Sequence, residues 1–229
     1  MGEPSRTLII SDGGLGAAVA VFHASERSGS EDRVLVWPAD AGADASHSRA
    51  RRRAMERSAT LAGGLVLRSA AQGTGGVPGM LLAALDAAAT ENAAAVVWPA
   101  SAGVPAEPFE ADATQAADNA ESAILSERLW AIQTGGSVRL ETPFADLPDA
   151  SVCELALDAG LRPEACWWWG GQDEEARVES ERWLGAFACL GLTADRPAVE
   201  APHGPVPARG PARGQAVVRG QGGRTGTRG

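Results

Sequence analysis

The sequence predicts an α/β fold: a doubly wound, mostly parallel five-stranded sheet with helices on both faces. Three observations predict it. Five short apolar runs are separated by longer segments with helical periodicity, the alternation that builds parallel sheets. Several of these runs stop at a glycine or proline. The chain has 229 residues, 45% of them hydrophobic, which is enough for one sizeable core and hardly two.

The elements follow in order. Residues 6–10 read as a first strand and 15–25 as a helix, with a glycine-rich turn between them. RVLVW at 33–37 is a second strand, closed by Pro38. Residues 46–62 form a helix for which Ser46 is a plausible cap, ended by Gly63 and Gly64. LVL at 65–67 starts a third strand, and MLLAALDAAATEN at 80–92 is a helix. AAAVVW at 93–98 is a fourth strand, again followed by proline. A long amphipathic helix covers 111–131, and SVRLETP at 137–143 is the fifth strand. Residues 149–159 and 174–190 are helices. The right-handed crossover rule places the helices on both faces.

Composition narrows the function. No apolar run is long enough to span a bilayer, and the start of the chain lacks a signal-peptide pattern. Cys153, Cys166 and Cys189 have neither metal nor disulfide spacing, so reduced thiols and a cytoplasmic location are expected. The net charge is −9, yet residues 197–229 carry five arginines and one glutamate, so the body is more acidic than the whole. An acidic body gives no nucleic-acid signal outside that Arg-Gly tail. The division expected is a domain over 1–196 and a disordered Pro/Gly/Arg-rich tail over 197–229. Lysine and tyrosine are absent.

The first strand runs into Ser11-Asp12-Gly13-Gly14-Leu15-Gly16. A turn between a strand and a helix can aim backbone N–H groups at phosphate. It is neither a Walker A motif nor GxGxxG. Asp12 has two readings. It caps the following helix, which is preferred, or it joins phosphate oxygens around Mg²⁺.

The loop resembles the PP-loop, SGGxDS, of the N-type ATP pyrophosphatases. Setting Gly13-Gly14-Leu15 on that family's GGL puts Asp12 at the first Ser, Gly16 at the Asp and Ala17 at the second Ser. The glycines are kept and three polar positions differ. The element order is similar to that of the 7-cyano-7-deazaguanine synthases of queuosine biosynthesis. The stretch VRLETPFADLPDASVCELALDAGLRPEACWWWGG (138–171) resembles that family's late strand, TPL-x-DL segment, helix and Trp-containing turn. ERWLGAFACLGL (181–192) resembles its closing helix, and the likeness covers roughly 6–192. The resemblance implies an adenine nucleotide alpha hydrolase-like, Rossmann-like fold. It also implies an ATP-dependent, AMP-forming ligase that makes a nitrile from a carboxylate. ATP and Mg²⁺ would bind at Ser11, Asp12, Gly13, Gly14, Leu15 and Gly16, with Asp40 on the nucleoside side. It further implies a zinc held by four cysteines around the closing turn. Here that turn reads WWWGGQDEEARVESE, without cysteine, so no zinc is expected. A lysine of the family's DL-x-K falls on Asp149, which reverses a charge. SAGVPAEPF, after the fourth strand, offers few donors for a purine.

Other residues have bland readings beside the sharp ones. Trp37 and Trp98 end two strands at the edge where ligands bind in such sheets. They flank a pocket or, by preference, cap the core. Arg49, Arg51, Arg52 and Arg53 follow His47 and could gather phosphate, but a solvated helix face is the commoner outcome. His23 and His203 are scattered and suggest no metal site. Thr142-Pro143 closes a strand, and Asp146 is expected to start the next helix. Asp173, Glu174 and Glu175 mark a helix N-terminus. Trp167, Trp168 and Trp169 either bury apolar area in place of a metal staple or form an exposed patch for a partner.

Three functions remain in play. The first is a family relative that keeps the fold, has lost zinc, and has lost or reduced ATP chemistry, binding a nucleotide or a partner. The second is an active AMP-forming ligase or amidotransferase-type enzyme of 7-deazapurine metabolism. The third is a structural interaction protein, using the Trp turn or the tail. No membrane partner is expected.

Overall fold

A computed structural model describes residues 6–28, 34–39, 45–67, 76–104 and 107–192. The elements are β1 (Arg6–Ser11), α1 (Leu15–Ser28), β2 (Val34–Pro38), α2 (Ala45–Leu61), β3 (Leu65–Val66), α3 (Gly76–Thr90) and β4 (Ala93–Val97). They continue with β5 (Gly103–Val104), β6 (Glu107–Ala111), α4 (Ala113–Thr134), β7 (Arg139–Glu141), α5 (Asp149–Asp158) and α6 (Glu174–Cys189). Asp40, His203 and the 197–229 tail lie outside the described residues, as does the side chain of His47.

Five strands form one sheet in the order β3-β2-β1-β4-β7, and every pair is parallel. The doubly wound α/β architecture expected from the sequence is therefore present. The central strands are nearly all apolar because both faces are covered. Alternation still sorts their side chains. Ile9, Val34, Val36 and Val97 pack with α1, α2, α5 and α6. Leu8, Ile10, Leu35, Trp37 and Val96 pack with α3 and α4 on the other face. The order reverses between β1 and β4, which leaves a crevice at their carboxyl ends.

Four details depart from the sequence expectations. Helix α3 begins at Gly76, because Pro78 falls in its first turn, where a missing N–H costs nothing. The fifth main-sheet strand keeps only three residues, Arg139–Glu141. Asp146 does not start α5; it lies in a turn closed by the Leu147 N–H donating to the Phe144 carbonyl at 3.0 Å, and the helix opens after Pro148. Residues 103–111, to which the sequence reading gave no strand, contain the β5–β6 antiparallel hairpin.

Helix α4 is fixed at both ends and in the middle. Asp112 accepts hydrogen bonds from the Thr114 and Gln115 N–H groups at 2.8 and 3.1 Å. Gly135 closes the helix in the left-handed region, at φ 69°. Trp130 Nε1 donates to Asp86 of α3 at 2.7 Å.

Candidate functional site

The turn after β1 is held by its own side chains. Ser11 Oγ accepts the Gly13 N–H at 3.1 Å. Asp12 Oδ1 accepts the Gly14 N–H at 2.7 Å. Asp12 thus orders the turn before α1 rather than capping the first N–H groups of the helix, the role preferred for it, and it remains at the surface. Gly13 has φ +81°, and a Cβ there would lie 2.8 Å from the Arg51 carbonyl oxygen. Its own carbonyl accepts the Trp167 N–H at 3.1 Å, tying the turn to the Trp segment.

Beyond Gly14 the geometry changes. The N–H groups of Leu15, Gly16 and Ala17 belong to the first turn of α1, where the helix supplies no acceptor. These three residues line a cleft of about 390 Å³ at the reversal of strand order. Gly16 is close enough to β4's exit that a Cβ would come 3.1 Å from the Pro99 carbonyl. Asp12, Gly14, Leu15 and Gly16 of the predicted loop line this cleft, while Ser11 and Gly13 stand behind it as support.

Residues outside the loop complete the walls. Arg51 of α2 is 8% exposed and faces the cleft, whereas Arg53 on the same helix is exposed. The arginine run is therefore not a uniform solvated face. The Arg51 guanidinium lies 4.6 Å from the Trp167 ring centre and is paired with Glu175. Its Nε is buried and finds no partner among the described residues. Helix α6 contributes Glu179, Arg182 and Trp183. Arg182 stacks 4.8 Å from the Trp183 ring and donates to Asp149 and, at 3.3 Å, to Ser101 Oγ.

Asp149 is fully buried under Arg182. Gly103 packs on its carboxylate so closely that any Cβ would overlap it. Burial works against the Arg182 charge, but the Asp149 hydrogen bonds and the charges of Asp149 and Glu179 outweigh it and raise its pKa. Burial pushes the Glu179 carboxyl above the usual carboxylate range. Arg182 and the 2.9 Å hydrogen bond from Trp183 Nε1 only partly oppose this.

The zinc implied by the family does not fit this donor set. Among the described residues no three His, Cys, Asp or Glu side chains cluster as metal ligands. Burial lifts the Cys153 thiol to about 12 and the Cys166 thiol higher still. Instead Trp167 and Trp168 are buried in the core with Cys153 and Cys166. Trp168, at 0% exposure, excludes the exposed-patch reading for its own ring. Trp98 lines the cleft and Trp37 is core.

Ser101, Glu179, Arg182 and Trp183 were not singled out by the sequence as site residues, and Arg51 was weighed only as one of a run of arginines. The usable signal was the spacing of Glu175, Glu179 and Arg182, which puts three charges on one helical face beside a tryptophan. No described helix is long and apolar enough to cross a membrane. No protein-family model and no curated protein matches the chain.

Proposed function

We propose that the cleft binds the phosphate end of a nucleotide, and that the chain is a relative of the 7-cyano-7-deazaguanine synthases with ATP chemistry lost or reduced. One observation carries the reading: Leu15, Gly16 and Ala17, whose N–H groups lie in the first turn of α1, line the same cleft as the Arg51 side chain. Both are donors, and a helix N-terminus favours negative charge. Trp98 and Trp183 supply apolar ring surface beside them, suited to a flat heterocycle.

The loss of polar positions at Gly16 and Ala17 removes groups that would orient phosphate or metal. Arg182 is engaged by Asp149, and Arg51 by Glu175, so little cationic charge is left to offset a triphosphate. A second reading, an active AMP-forming ligase, draws on the two carboxylates of Asp12 and Glu179 lining the same cleft. With phosphate oxygens they form an ordinary oxygen environment for Mg²⁺.

Calorimetric titration of the chain with ATP and Mg²⁺ tests the binding. Micromolar affinity that Gly16→Val abolishes is the expected result. An absence of heat up to millimolar ATP overturns it. AMP release in the presence of candidate carboxylates decides for the second reading.

A further inference from the structure

The largest apolar exposure on α4 forms a face with a definite charge pattern. Ile124 is 66% exposed, Leu125 56%, Leu129 45% and Ile132 73%. At 3.6 residues per turn, Ala117, Glu121, Leu125, Arg128 and Ile132 fall along one stripe, with Ile124 and Leu129 on its flanks. The buried residues Asn119, Ala123, Ser126 and Trp130 lie on the opposite side. Glu121 and Arg128 are both exposed, and no ion pair engages either among the described residues. They are separated by two helical turns, about 10 Å.

We propose that this face of α4 is the contact between two copies of the chain, arranged antiparallel about a two-fold axis between Ile124 and Leu125. The sequence of the helix is self-complementary in that arrangement and in few others. Each Glu121 meets Arg128 of the partner subunit, and each Arg128 meets Glu121 of the partner subunit. Ile124 and Leu125 pack at the axis. Ile132 falls opposite Ala117, and Leu129 opposite Ala120, so large side chains sit over small ones. A two-fold contact uses the same patch on both copies, which is what such internal matching produces. A parallel pairing in register would instead set Glu121 on Glu121 and Arg128 on Arg128, which like-charge repulsion disfavours. The helix is already rigid through its caps and the Trp130–Asp86 bond, so little ordering accompanies association.

Sedimentation of the full chain from low to high micromolar concentration tests this. A monomer–dimer equilibrium is expected. Arg128→Glu alone, or Glu121→Arg alone, should weaken dimerisation about tenfold or more, a change of about 1.4 kcal/mol or more. The double reversal, Glu121→Arg with Arg128→Glu, should restore it. Both substituted side chains are exposed, and circular dichroism verifies the fold of each variant. A chain that stays monomeric at high micromolar concentration overturns the proposal. So does a dimer that ignores both single reversals, or one that the double reversal fails to restore.

Discussion

Arg182 holds Asp149 through two parallel hydrogen bonds, Nε to Oδ2 at 2.6 Å and Nη2 to Oδ1 at 2.7 Å. This fork joins α6 to the first turn of α5 directly beneath the cleft, with Gly103 of the hairpin closed over the carboxylate. Removing either partner leaves a buried charge alone. Arg182→Met and Asp149→Leu should each lower stability by about 3–5 kcal/mol. The double variant Asp149→Leu with Arg182→Met should cost much less than the sum. Urea denaturation of the four proteins measures the coupling. Strict additivity would show that the fork does not bind the two helices.

Glu179 gives the protein a pH dependence of predictable sign. Burial raises its carboxyl pKa in the folded state. The stability it contributes is therefore complete below the ordinary carboxylate range and is lost as the pH rises through the folded value. Asp12 and Asp149 add to the rise, while Arg182 and Trp183 oppose it. Glu179→Gln should make the protein more stable at neutral pH and flatten the stability profile above the carboxylate range. Thermal melts across pH 4–8, the window around ordinary carboxyl titration, read the difference.

Gly13→Ala should destabilise by roughly 2 kcal/mol or more, through a left-handed backbone and a Cβ pressed on the Arg51 carbonyl. Gly135→Ala shares the backbone cost but has open space around the new methyl, so it should cost about 1 kcal/mol. Equal losses in denaturant midpoint would remove the steric part of the explanation.

Trp168 is fully buried, and its Nε1 donates to nothing among the described residues. Trp168→Ala should cost about 3–5 kcal/mol from the cavity it leaves. Trp168→Phe should recover most of that, because no hydrogen bond is lost with the indole. A phenylalanine variant as unstable as the alanine variant would mean that Nε1 has a partner after all.

The three thiols should separate cleanly under alkylation. Cys189 is exposed and reacts in the native state. Cys153 and Cys166 are buried with raised pKa values, so they should be modified only when the chain unfolds. Mass spectrometry before and after denaturant counts them. Zinc added to the native protein should not alter that count.

The fold was legible because its signals are local. Apolar runs ending in Gly or Pro, such as AAAVVW before Pro99, state both element type and boundary. The site was half legible. Ser11 to Gly16 follow one another in the chain, so a turn motif exposes them together. Arg51, Glu179 and Arg182 come from two helices on one face of the sheet. Nothing in their local sequence says that Arg51 turns inward while Arg53 turns out. That choice depends on Trp167 offering its ring to the guanidinium, a contact across more than a hundred residues. The β5–β6 hairpin escaped for a related reason: GVPAEPFEA has two prolines and no alternation of apolar and polar residues.

The sheet also tapers. Its inner strands are five or six residues long, while β3 at one rim has two residues and β7 at the other has three. A rim this short presents only a few spare backbone groups to another chain. Among the described residues the main sheet therefore offers little template for fibre-like growth. Any assembly it makes must be written in side chains, where a single charge can permit it or forbid it.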